Sequence, residues 1–221
     1  KGLHGSVRLC VPTGFGHMVM SGWLIEFKRQ YPDIALELLF ENRVDDLLRE
    51  EVDVAVRVMS EPPQQMVAIE LAQIRYVTCA LAEYARKAPM PTQPEALAAV
   101  PLITSAVSGR ALRVAAYQGD ERREIELQPT LASENFQFLR EAVLAGLGVG
   151  LVPDYVVQQD IETHAVVTCL NDWRLSVFGS RIFLLRMPGR YLTLATRTLI
   201  DFIVHKAREW TAHTQAEAQR V

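Results

Sequence analysis

The loop Pro12-Thr13-Gly14-Phe15-Gly16 follows an apolar strand and opens an amphipathic helix, a pattern that suits the binding of a small anion. At the carboxyl end of a strand in an open α/β sheet, free backbone N–H groups and the helix dipole point into the crevice where ligands bind. The Thr13 hydroxyl adds a side-chain donor at that point. The same residues also make a plain strand-to-helix turn, in which the glycines supply backbone freedom. Ser133-Glu134-Asn135 before Phe136 repeats the arrangement in the second half of the chain. There Ser133 or Asn135 can cap the next helix, and a second helix N-terminus opposite the first would grip an anion from both sides. Thr104-Ser105, after the strand Pro101 to Ile103, adds hydroxyl donors at the same rim.

Two further stretches reach toward such a cleft. Gly148-Val149-Gly150-Leu151-Val152-Pro153 reads either as a cleft wall of backbone groups or as a strand whose glycines admit a tightly packed helix. Arg57 and Met59 follow the DVAV strand at its carboxyl end; Met59 suits an apolar ligand contact, whereas an arginine there is more often a solvated or paired surface group.

The common catalytic patterns do not appear. There is no GxSxG elbow, and the histidines at 4, 17, 164, 205 and 213 show neither HExxH nor cysteine-associated spacing. Asp45-Asp46 and Glu50-Glu51 are adjacent pairs on helix or turn surfaces. Cys10, Cys79 and Cys169 lie far apart with no CxxC, so neither a disulfide framework nor a zinc site is expected. Cys79 reads as a buried thiol, because a redox sensor needs an accessible low-pKa thiolate with a resolving partner. No catalytic residue, metal or cofactor is expected.

Several elements position these residues. Ser6 to Val11 alternates as a strand, and Phe15, Met18, Val19, Leu24 and Phe27 recur at helical spacing until Tyr31-Pro32 ends the helix. Ile34 to Phe40 is a second strand, Asp45 to Glu50 a short helix, and Val52 to Val56 a continuous apolar strand of the kind parallel sheets bury. Met66 to Cys79 reads as one long strand that leaves one sheet for another. Helix fragments punctuated by prolines fill 81–101, and Leu112 to Gln118 and Arg123 to Leu127 flank Gly119-Asp120 as a hairpin. The segment FQFLREAVLAGLGVGLVP, from Phe136 to Pro153, is a helix stopped by glycine and followed by a short strand. That order is the reverse of the dinucleotide-binding fingerprint, so Gly146, Gly148 and Gly150 read as a helix C-cap and a close backbone approach. A helix follows with Asp154 as N-cap, Leu175 to Arg186 returns as a strand, and Leu192 to Trp210 closes as an amphipathic helix. The polar residues from Thr211 onward read as a frayed tail.

Composition sets the outer bounds. The 221 residues are 49% hydrophobic and 22% charged, ordinary for a soluble globular chain with a sizeable core. A net charge of -3 with scattered basic residues argues against a nucleic-acid footprint within this segment. No apolar run approaches the roughly 18 residues a membrane span needs.

A first strand opening just after Gly5, Phe27…Tyr31-Pro32 closing the first helix, DVAV at 53–56 and AGLGVGLVP at 145–153 come in an order that resembles the effector-binding domain of LysR-type transcriptional regulators. The resemblance spans about residues 5–210. It implies an α/β fold of two Rossmann-like lobes joined by two crossover strands, like a type 2 periplasmic binding protein: 1–75 with 180–210 as the first lobe, 76–179 as the second, and 211–221 as a flexible tail. It also implies a hinged cleft for a small effector, an organic or aromatic carboxylate, lined by Pro12, Thr13, Gly14, Phe15, Met59, Thr104, Ser105, Ser133, Asn135, Val149, Gly150 and Leu151. The family forms homodimers or tetramers through this domain, which places interfaces on the helices at 17–30 and 135–145. DNA would be held by a winged helix-turn-helix preceding this segment, in a cytoplasmic protein. A transporter's solute-binding protein and an enzyme on the same scaffold are the rival readings.

Overall fold

The computed structural model describes residues 2–42, 51–105, 111–177 and 179–218. The chain divides into two units, one of 1–73 with 178–221 and one of 74–177. The helix expected at Asp45 to Glu50 lies outside the described residues.

In the first unit, strand β1 (Gly5–Val11) pairs in parallel with β2 (Ile34–Phe40) on one side and β3 (Val54–Met59) on the other. The run Val54-Ala55-Val56 is wholly buried, as a strand covered on both faces requires. The order of the five-stranded sheet is β2-β1-β3-β13-β4, where β4 is Val67–Gln73 and β13 is Arg181–Arg186, antiparallel to both neighbours. After β1 the chain turns helical at once: one α-turn at Thr13–Phe15, a π-helical stretch at Gly16–Met20, then helix α1 (Ser21–Gln30). The start is therefore two residues earlier than the apolar spacing indicates, because Thr13 itself is in the first turn. The helix ends where the Tyr31 N–H reaches the Phe27 carbonyl and Pro32 forbids continuation.

The second unit carries two sheets, β11-β5-β10-β6-β9 and β12-β7-β8. The first comprises β5 (Tyr76–Leu81), β6 (Leu102–Thr104), β9 (Leu131–Ala132), β10 (Val149–Pro153) and β11 (Val166–Cys169). The second comprises the hairpin β7 (Leu112–Gln118) and β8 (Glu121–Leu127) with β12 (Arg174–Ser176). Between β5 and β6 lie α2 (Ala82–Lys87) and a 3-10 turn at Pro94–Ala99. Helix α3 (Phe136–Leu144) ends as sequence predicts. The Gly146 N–H bonds the Val143 carbonyl and the Leu147 N–H the Ala142 carbonyl, a Schellman closure that needs the positive φ of +73 at Gly146. Helix α4 (Asp154–Glu162) packs on it through a bidentate ion pair of Arg140 with the buried Asp160, both contacts at 2.8 Å.

Four boundaries differ from the sequence reading. The expected strand Met66 to Cys79 breaks at Ile74-Arg75, giving β4 to one sheet and β5 to the other. The expected return strand Leu175 to Arg186 likewise divides into β12 and β13, with Gly179, whose φ is +101, in the interval between them. Asp154 is the first residue of α4, and Pro153 precedes it as the cap. The closing helix α5 runs Leu194–Ala218, past the expected end at Trp210. Trp210 packs edge-on against Phe15 at 5.4 Å, and the i,i+4 pair His213–Glu217 lies on the following turns, so the helix has both an anchor and local support there.

Candidate functional site

In the first unit the register of β1 with β2 decides which residues meet. Val11 lies opposite Phe40, so the chain leaving β1 at Pro12-Thr13 runs beside Glu41-Asn42. The Thr13 N–H donates to Asn42 Oδ1 at 3.1 Å, and Asn42 Nδ2 donates to Thr13 Oγ1 at 3.1 Å. Asn42 is thus a partner of the candidate residue Thr13 that sequence reasoning missed. The signal was available, because parallel pairing of the two predicted strands aligns their ends.

The other residues of that loop face inward. Pro12 and Gly14 are buried, and Phe15, 1% exposed, stacks edge-on against Trp23 and Trp210. Phe15 is thus a core residue of the first unit, and its ring is committed to an aromatic cluster. Met59, half-buried at the end of β3, packs on a cluster containing Cys10, Ala55 and Phe183. Arg57 corrects the surface reading: it is 2% exposed, with Nη1 donating to the Val56 carbonyl at 2.9 Å and Nη2 to Cys10 Sγ at 3.2 Å.

In the second unit, β10, β6 and β9 run parallel and bring their carboxyl ends together. Thr104 and Ser133 meet there, the Ser133 N–H reaching the Thr104 carbonyl at 3.4 Å. Ser133 Oγ accepts from the Asn135 N–H at 3.0 Å, and Asn135 Oδ1 accepts from the Phe138 N–H at 3.0 Å, capping α3. The two roles anticipated for this loop thus separate: Asn135 caps, and Ser133 retains a hydroxyl proton to give. Ser105, half-buried, follows Thr104.

Thr104 is fully buried, and its hydroxyl donates to the Leu151 carbonyl at 2.5 Å, so its proton is used between strands. Val149, Gly150 and Leu151 are buried in the sheet between β5 and β6. A Cβ on Gly150 would lie 2.7 Å from Val143 Cγ2, which favours the packing explanation of that glycine over the wall explanation. Of the twelve residues proposed from sequence, Thr13, Ser105 and Ser133 carry hydroxyls that donate to no described residue, and of these Thr13 and Ser133 also accept an N–H, from Asn42 and Asn135.

Nucleophilic chemistry finds no support in the thiols. Burial pushes the Cys79 thiol up to about 12, and burial also raises Cys169. Among the described residues no group of three or more His, Cys, Asp or Glu side chains is arranged to hold a metal ion, and no helix is long and apolar enough to cross a membrane.

The family model described as LysR substrate binding domain matches residues 1–208. The chain belongs to the LysR substrate-binding domain family. Over 214 residues it is 27% identical to the HTH-type transcriptional regulator PtxR of Pseudomonas aeruginosa, covering 96% of this chain and 68% of that protein. With the HTH-type transcriptional activator TtdR of Escherichia coli it shares 22% over 202 residues, covering 90% of this chain and 64% of TtdR. Across the curated relatives it spans 60% to 68% of their length. Among solved structures, the full-length Vibrio cholerae virulence activator AphB, an LTTR protein, superposes with a TM-score of 0.80 at 25% identity, covering 92% of this chain and 69% of AphB. The regulatory domain of AphB from Vibrio vulnificus gives 0.74 at 25% identity, covering 93% and 100%. The fold of this LysR domain is accordingly the two-lobed, type 2 periplasmic-binding-protein-like α/β fold, each unit described above being one lobe.

Proposed function

We propose that this LysR domain senses a small organic or aromatic acid and, in its full-length regulator, transmits occupancy to DNA-binding segments outside this chain. The observation that carries the reading is the pair of loaded hydroxyls: Thr13 Oγ1 accepts from Asn42, Ser133 Oγ accepts from Asn135, and each is left to donate its proton outward. Hydroxyl donors at strand carboxyl ends suit a carboxylate. Effector binding moves a regulator only when one conformation binds it better than another.

Oligomerisation fits the same role. Ile25 on α1 is 55% exposed and Phe138 on α3 is 45% exposed, apolar side chains on the two helices expected to meet a second copy. A regulator of this kind works in the cytoplasm beside its DNA. The named relatives are transcriptional regulators, which favours this reading over a transporter's solute-binding protein or an enzyme.

A titration of the isotope-labelled domain with aliphatic and aromatic acids, followed by amide NMR, tests the proposal. Shifts concentrated at Thr13-Gly14 and Ser133-Asn135 are expected. Shifts confined to other surfaces would contradict it.

A further inference from the structure

We propose that Arg122, Tyr117 and Arg174 form an anion site on the outer face of the second unit's three-stranded sheet, and that this site takes a phosphoryl group. Strand register puts the three side by side: Tyr117 in β7 faces Arg122 in β8 on one side and Arg174 in β12 on the other. Leu112, Val114 and Ala116 of β7 are buried, so the two-residue alternation of a strand turns Tyr117 and its neighbours to the solvent face. None of the twelve residues expected at an effector cleft belongs to this sheet.

Both guanidinium groups are tied to one ring. Arg174 lies over the Tyr117 face with its Cζ 4.1 Å from the ring centroid. Arg122 Cζ is 5.9 Å from the same centroid, and Arg122 Nε donates to Tyr117 Oη at 3.4 Å. Stacking on the ring restricts two long side chains before any ligand arrives, which lowers the ordering cost of binding. Neighbouring carboxylates do not balance the charge. Glu124 comes no closer to Arg122 Nη1 than 3.8 Å, and Arg174 meets no carboxylate among the described residues. Arg8, Arg123 and Arg181, by contrast, each hold a carboxylate at 2.7–3.0 Å.

The row offers three kinds of donor at one place: the N–H groups of each guanidinium and the Tyr117 hydroxyl, which accepts from Arg122 and still has its own proton to give. The Arg122 bond, with the charges of both arginines, draws the Tyr117 phenol below its ordinary pKa and so makes it a stronger donor. A phosphoryl group brings three acceptor oxygens and about 1.5–2 negative charges at pH 7, one oxygen for each donor group and nearly one charge for each guanidinium. A carboxylate brings fewer oxygens and half the charge. Arginine forks suit phosphate oxygens in geometry as well as in charge.

The test follows amide and arginine Nε NMR signals of the labelled domain while inorganic phosphate or glycerol 3-phosphate replaces sodium chloride at constant ionic strength and neutral pH, with acetate as the singly charged control. Shifts gathered at Tyr117, Arg122 and Arg174 are expected with both phosphates and not with acetate. Tighter binding of the monoester identifies a phosphate ester as the source of the group, and tighter binding of inorganic phosphate identifies the free ion. Arg122→Gln and Arg174→Gln should each weaken phosphate by about tenfold, and Tyr117→Phe, which keeps the stacking surface, by less; circular dichroism checks that these surface variants fold. Without ligand, the Tyr117 phenol should titrate below the ordinary tyrosine range by ring carbon NMR and move up in Arg122→Gln. Phosphate shifts no larger than those of acetate, binding indifferent to both arginine substitutions, or a phenol unmoved by Arg122→Gln overturns the site. The effector reading stands or falls separately, because its residues lie outside this sheet.

Discussion

The Thr104 hydroxyl donates to the Leu151 carbonyl, joining the end of β6 to the middle of β10 inside the second lobe. Both residues are fully buried, so this bond is structural even though it lies next to Ser133 at the rim. Thr104→Val keeps the shape and removes the donor. It should cost about 1–2 kcal/mol of stability, read from chemical denaturation, and leave acid binding at the Ser133 rim unchanged. Acid binding lost at full stability would return Thr104 to the effector contacts.

Asp154 supplies a pH signature. Burial raises its pKa above the ordinary aspartate value, against the opposing pull of the Tyr155 N–H and Arg75. A carboxyl whose folded pKa exceeds its unfolded value binds more protons in the folded state between the two values. Stability from this group is therefore present at low pH and lost as pH rises through that window, from near 3.8 upward. Asn at this position keeps an acceptor for the Tyr155 N–H, which Asp154 Oδ1 meets at 2.7 Å. Asp154→Asn should match the wild type below the window and be more stable above it, as measured by urea unfolding from pH 3 to 8.

The thiols should be quiet. Cys10 and Cys79 are wholly buried, and burial holds the Cys79 pKa at about 12, far from the thiolate needed for attack or oxidation. Ellman's reagent should label at most the half-buried Cys169 promptly in the native domain and all three cysteines after unfolding. Fast native labelling of Cys79 would contradict the packing described for β5.

Self-association should depend on the exposed apolar residues of α1 and α3. Ile25→Arg and Phe138→Arg each introduce charge at surface positions, so the fold should persist while the dimer weakens. Sedimentation velocity over a concentration series checks this. Dimers that persist in both variants would move the interface elsewhere.

Much of this fold is legible in sequence because it is local. The buried run Val54 to Val56, the hairpin about Gly119-Asp120 and the glycine stop at Gly146 each follow from a period or from a residue suited to one backbone conformation. What sequence left out depends on partners distant along the chain. Phe15 reads both as a cleft-loop residue and as the first of the helix's apolar positions until Trp210, far along the chain, is folded against it. Arg57 looks like a surface group until the strand's two-sided burial carries it to Cys10. The strands read as continuous across Ile74-Arg75 and across Gly179 do pass from one sheet to another as expected, but apolar spacing does not record the break in pairing at each crossing. For the candidate site, Thr13, Ser133 and Asn135 were proposed by residue type at element ends. Asn42 was missed because it requires strand register, and Val149, Gly150 and Leu151 were included because a strand of small and apolar residues reads the same whether it lines a cleft or fills a core.

The most direct measurement is a thermal-shift screen of this domain against small acids, amino acids and sugars, with Thr13→Ala and Ser133→Ala beside the wild type. A ligand that binds only the folded state raises its melting temperature by mass action. The account predicts that a carboxylate stabilises the wild type and that either substitution abolishes the shift. A stabilising acid whose effect survives both substitutions, or stabilisation by sugars alone, would contradict it.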